Sequence, residues 1–111
     1  MPPRSWVGAL AGARAAAPEP GRTSSRQFTH GSLEARFYQP RGHDPQTPHG
    51  RDEIYVVAVG SGVFVADGAR TPFGAGDCLF VAAGVTHHFE EFTDDFGVWV
   101  FFYGPEGGEA T

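Results

Sequence analysis

From Gln27 onward the apolar positions either alternate with polar ones or run together for four to seven residues. Nowhere do they recur at spacings of three and four over a dozen residues, so the pattern predicts strands and no long helix. Residues 33–39 alternate, with Leu33, Ala35 and Phe37 on one side and Glu34, Arg36 and Tyr38 on the other. Residues 53–59 are apolar on both faces and end at Gly60-Ser61-Gly62, a turn. Residues 63–66 form a strand that runs into Asp67-Gly68, a strong hairpin signal. A turn over 74–77, a strand over 78–82 and a break at Gly84 follow, and strands at 87–92 and 96–103 complete the set. Many short strands at near-regular spacing indicate a sandwich or barrel.

Two strands carry apolar residues on both faces. Ile54, Val56 and Ala58 oppose Tyr55, Val57 and Val59, and Val98, Val100 and Phe102 oppose Trp99, Phe101 and Tyr103. An antiparallel sheet in a domain this small usually shows one face to water, so a homodimer is expected, or an N-terminal arm that covers one face. Residues 1–24 hold mostly Ala, Pro, Gly and Arg, and they are expected as a flexible arm ahead of a barrel domain over 25–104 and a polar tail over 105–111. Trp6 and Leu10, four apart, suit docking on a partner subunit or on the domain's own body. The apolar stretch after Arg4 is short and broken by Gly8 and Gly12, which makes a poor secretory leader.

Composition narrows the class. A chain of 111 residues forms one domain. Its ten phenylalanines, three tyrosines and two tryptophans are too many for a disordered chain. No apolar run approaches the roughly 20 residues of a membrane-spanning helix. Cys78 is the lone cysteine, so no internal disulfide forms. With the weak leader, it makes cytoplasm the expected location. In its apolar run Cys78 is expected as a buried, inert thiol. The net charge is −5 and there is no lysine. Nucleic acid and anionic membrane are therefore not expected as partners. Glu90, Glu91, Asp94 and Asp95 read as a solvated acidic face.

The chemistry lies in two histidines. His49 and Glu53 are four apart, so an extended segment puts both on one face, together with Thr47 and Tyr55. His87, Phe89 and Glu91 share a face of a later strand. Two imidazoles and a carboxylate turned into one barrel make a site for Fe, Mn, Ni or Zn, with positions left open for water or substrate. The alternative is metal-free: a hydrogen-bonded His49–Glu53 pair and a satisfied interior His87. His88 has the opposite parity and should face the surface. Arg36, Tyr38 and Tyr55 are further candidates for the pocket lining. Arg36 would take a substrate carboxylate or, alternatively, pair with Glu34 at the surface. Phe37, Phe80, Phe89 and Trp99 are expected mostly in the core.

The turns add a second signal. Gly42-x4-Thr47-x-His49-x3-Glu53-x6-Gly60 is followed by Gly76-x5-Ala82-x-Gly84-x2-His87-x3-Glu91. Over residues 33–103 this resembles the paired motifs of the cupin superfamily. The resemblance implies an all-β, single-domain jelly-roll barrel (a double-stranded β-helix). It implies metal ligation by His49, Glu53 and His87. Thr47 stands where the family's first motif has another histidine, which leaves three protein ligands of four and gives Thr47 a role toward bound water or substrate. Glu91 stands where the second motif has Asn, and Ala82 where it has Pro. Three readings follow: a metal enzyme acting on a small oxygenated substrate by oxidation, isomerisation or lysis; a non-catalytic cupin that binds or senses a metal or small ligand; and a metal-free structural dimer module. The partner expected in the first two is a small molecule.

Overall fold

A computed structural model describes residues 4–111, so the first three residues of the expected arm lie outside the described residues. One short helix, α1 (Leu10–Ala15), precedes eight strands: β1 (Ser24–His30), β2 (Leu33–Tyr38), β3 (Asp52–Val59), β4 (Ser61–Ala66), β5 (Ala69–Gly74), β6 (Cys78–Val81), β7 (His87–Glu90) and β8 (Gly97–Tyr103). They form a five-stranded sheet in the order β1-β2-β8-β3-β6 and a three-stranded sheet in the order β5-β4-β7. Every pairing is antiparallel. The core lies between the sheets: Tyr38, Tyr55, Val57, Val81, Val98 and Val100 from the larger meet Phe64, Phe73 and Phe89 from the smaller, with Phe96 beside them.

Local chemistry explains the path. The chain passes from the large sheet to the small one at Gly60, where φ is +90 and a Cβ would come within 2.7 Å of the Phe96 Cα. Only glycine fits there. Asp67 and Gly68 both have positive φ, 49 and 81, as the tight β4–β5 hairpin requires. Two strands go beyond the expected set. β1 has a single large apolar residue, Phe28, and β5 contains Pro72. Both lie at sheet edges, where a missing N–H and a polar face are tolerated.

The apolar outer face of the large sheet is covered only in part. Trp6 stacks on Phe28 at 5.0 Å and meets Trp99 edge-on at 6.1 Å. Arg14 donates to the Asp95 carbonyl at 3.0 Å, and its own carbonyl accepts from Gln39 at 2.8 Å. The N-terminal segment thus docks on the domain's own body, over β1, β2 and β8, and buries Ala35 and Phe37 beneath it. Toward β6 the face stays open. Two expectations are corrected here. Phe80 is 58% exposed rather than core, and Cys78 is exposed rather than buried. Their register partners are Ile54 and Val56, on the outward side of an edge strand that no layer covers. Leu79 and Val81 take the inward side.

Trp6→Ala should lower stability by about 1–2 kcal/mol, the share of a tryptophan's burial that this docking provides. A urea titration checks it. An unchanged midpoint would mean that the segment does not hold the sheet in solution.

Candidate metal centre

Backbone bonds bring the two motifs together. The Gly84 N–H donates to the His49 carbonyl at 2.8 Å. Asp52, which periodicity does not single out, accepts from the Ala83 N–H at 2.9 Å and from the Glu109 N–H at 2.8 Å. These donors hold the Asp52 carboxyl below its ordinary value. The segment entering β3 is thereby tied to the turn that feeds β7. Period two then turns Glu53, Tyr55 and Val57 inward from β3, while β7 begins with His87 in the opposite sheet.

The three sequence-predicted ligands meet at the junction of the sheets. One ligand atom from each of His49, Glu53 and His87 lies within 4.8 Å of the others. His87 Nε2 is 2.9 Å from Glu53 Oε1, and His49 Nε2 is 3.9 Å from it. Glu53 is 1% exposed and His87 is 2% exposed. His87 Nε2 approaches Glu53 as an ion-pair partner, but among the described residues no hydrogen bond of good geometry reaches either Glu53 oxygen or His49 Nε2, all three of them buried. Each such group costs about 1–3 kcal/mol if left so. The His87 Nδ1–H donates to the Val85 carbonyl at 2.8 Å, so Nε2 is the ring atom that faces the carboxylate. Lone pairs gathered in this way need a cation between them, a proton on His87 Nε2 or a metal ion. Imidazole nitrogens and a carboxylate suit a first-row divalent metal; the 2.9 Å between His87 Nε2 and Glu53 Oε1 matches neighbouring octahedral ligands, whereas His49 Nε2, 3.9 Å from the same oxygen, has to move inward to join them.

Electrostatics act differently on the two rings. Burial pushes His49 below its ordinary value despite Glu53, so its ring is neutral near pH 7. Burial also opposes charge on His87, but Glu53 and the Val85 carbonyl outweigh it and hold His87 above its ordinary value, which favours a proton on Nε2 that an incoming metal ion has to displace. Burial and then Glu53 push the Tyr55 phenol well up, so it keeps its proton.

The other expected residues divide. Thr47 and Tyr38 line a cavity of about 190 Å³ together with Gln46, His49, Glu53 and Phe102. Tyr55 lies behind that cavity, and its hydroxyl is 3.1 Å from His87 Nε2. Arg36 is fully buried, outside the cavity lining, and engaged by Glu19, Glu34 and Ser24. It pairs with Glu34 as its alternative reading had it, but in the interior rather than at the surface. Glu91 is corrected. β7 ends at Glu90, the backbone turns left-handed at Glu91 with φ 52, and the side chain points outward to pair with Arg70. His88 faces outward and pairs with Glu90.

Sequence reasoning missed Asp44. Its carboxylate accepts from the Tyr38 hydroxyl, from Gln46 N at 3.2 Å and Nε2 at 2.6 Å, and from the Phe89 N–H at 2.8 Å. It sits in an irregular loop, where no period marks it.

A family model described as Cupin domain matches residues 36–103. An uncharacterized protein from Streptomyces coelicolor is 36% identical over 63 residues, which cover 57% of this chain and 60% of that relative. The chain therefore spans less than two thirds of the curated relative it matches. Among solved structures, a cupin 2 conserved barrel domain protein from Salinispora arenicola aligns with a TM-score of 0.61 and 25% identity, over 73% of this chain and 74% of that one. A protein from Neisseria meningitidis aligns with a TM-score of 0.68 and 15% identity, over 89% and 100% of the two chains.

Proposed function

The chain belongs to the cupin family, and from that premise we propose that its barrel holds one divalent transition metal through His49, Glu53 and His87 and binds a small oxygen-bearing molecule beside it. The observation that carries this is the set of buried, partnerless atoms: both Glu53 oxygens and His49 Nε2, gathered beside His87. Fe, Mn, Ni and Zn all suit two imidazoles and a carboxylate. When bound, such an ion supplies Lewis-acid or dioxygen-activating chemistry.

The chain's own residues set the limits of the ligand. A cavity of about 190 Å³ holds roughly six water volumes, so the ligand is small. Thr47 and Gln46 offer it polar contacts, while Val100 and Phe102 offer apolar ones. Among the described residues no Arg or Lys side chain lines the cavity, so a carboxylate or carbonyl would be held through the metal.

A second reading, binding or sensing without turnover, has its own support. An enzyme working by general acid–base catalysis needs a free proton donor or acceptor near the substrate. The hydroxyl protons of Tyr38 and Tyr55 are committed to Asp44 and Gln46, and Glu91 faces solvent. A metal-free structural module, by contrast, leaves the partnerless atoms unexplained.

Elemental analysis after reconstitution with Fe(II), Mn(II), Ni(II) and Zn(II), of the wild type beside His49→Ala, tests the proposal. The wild type should retain about one equivalent of one of these metals and the variant under about a tenth, since a structural ligand has been removed. Metal absent from both proteins sinks the reading.

A further inference from the structure

A chain of hydrogen bonds runs from the loop over 39–50 into the metal centre, and its direction is fixed at one end. Asp44, as a carboxylate, can only accept. Its Oδ2 takes the Phe89 N–H, and it also takes the Gln46 amide nitrogen Nε2 at 2.6 Å. That contact fixes which end of the Gln46 carboxamide points inward: Oε1 must face the barrel. Tyr55 has one hydroxyl proton and donates it to Gln46 Oε1 at 2.7 Å. Toward His87 Nε2, 3.1 Å away, the Tyr55 oxygen therefore presents lone pairs and no proton.

Resting on the metal reading above, we infer that Asp44 is a positioning residue: through Gln46 it turns the Tyr55 hydroxyl proton away from His87, so that Tyr55 does not cap the Nε2 that binds the metal. Were the chain reversed, Tyr55 would donate to His87 Nε2 and cap the atom that ligation uses. Partners of this kind orient ligands in metal sites generally, and their loss typically costs about 10- to 100-fold in affinity.

Asp44→Asn is nearly isosteric but breaks the polarity. Asparagine brings one donor to a position surrounded by four. With the new amide nitrogen in the Oδ2 place the Phe89 N–H loses its acceptor, while Gln46 relieves its own conflict by flipping its amide, which turns Nε2 to Tyr55 and the phenolic proton toward His87. Gln46→Leu removes the intermediate link while leaving Asp44 bonded to Tyr38 and to the Phe89 N–H.

The test is a Ni(II) titration by calorimetry of the wild type, Asp44→Asn, Gln46→Leu, Tyr55→Phe, and each of the first two variants combined with Tyr55→Phe. Asp44→Asn and Gln46→Leu should each weaken Ni(II) binding about 10- to 100-fold. In the Tyr55→Phe background, where no proton can cap His87, neither should weaken it further. Equal weakening in both backgrounds would show that Asp44 merely holds the loop, and would overturn the inference. So would Asp44→Asn and Gln46→Leu proteins that bind Ni(II) as the wild type does. A wild type that binds neither Ni(II) nor any other reconstituting metal overturns the metal reading itself, and this inference with it. Urea midpoints of all variants separate lost binding from lost folding.

Discussion

Glu53→Gln is expected to lose metal binding by more than about 100-fold and to leave the metal-free protein as stable as the wild type, or more stable by roughly 1–2 kcal/mol. Most substitutions at a residue 1% exposed destabilise, so the opposite sign is informative. The wild-type carboxylate is buried beside two imidazoles with neither oxygen hydrogen-bonded. Glutamine keeps the shape, removes the charge, and gives His87 Nε2 or His49 Nε2 an amide donor. As a metal ligand it is poorer, because the anionic charge is gone. Urea unfolding of chelator-treated protein, paired with a metal titration, reads both quantities. Loss of several kcal/mol in the metal-free variant would mean that Glu53 is the structural partner of His87. That outcome would favour the metal-free barrel weighed at the start.

The two histidines and the glutamate were readable because each sits in or next to a strand that keeps its period. Glu53 and Tyr55 turn inward together on β3, and His87 and Phe89 do so on β7. Parity stops being informative where a strand stops. Glu91 is one residue past β7, and a left-handed backbone turns it to the surface. Apolar runs mislead in another way. Residues 78–81 alternate between core and solvent although all four are apolar, because composition does not say which strand lies at an edge. Asp44 and Gln46 lie in an irregular loop, and their partners, Tyr38, Tyr55 and Phe89, come from three different strands. Such a network exists only after the sheets have closed. Asp52 is similar: its parity marks it as outward, yet its two backbone partners lie at positions 83 and 109.

Arg36 shows the same limit and carries the second large effect. Its parity matches its place on the inner side of β2 with Tyr38, but its partner Glu19 comes from a segment with no period. Nε donates to the Ser24 hydroxyl at 2.7 Å, Nη1 to Glu34 at 2.8 Å, and Nη2 to the Ser24 carbonyl at 2.6 Å and to Glu19. Arg36→Ala would leave a void and take from Glu34 its nearer partner, with Arg26 remaining at 3.2 Å. Losing a fully buried side chain of this size costs about 2–5 kcal/mol, a large part of the 5–15 kcal/mol typical of a whole domain. The melting temperature should fall by more than about 10 °C.

Acid dependence gives an independent check. Burial raises the Glu34 carboxyl, but Arg36 and Arg26 outweigh it and hold it below 4.5. A depressed carboxyl stabilises the fold above its unfolded value, and that contribution is lost as pH falls through the lower folded value. The wild type should therefore lose this increment below pH 4.5, and Arg36→Ala should show a flatter acid limb. Because Arg36 does not line the cavity, metal affinity per folded molecule should be unchanged in Arg36→Ala. A variant that kept its melting temperature but lost binding of small carboxylates would instead give Arg36 the substrate role that its parity first suggested.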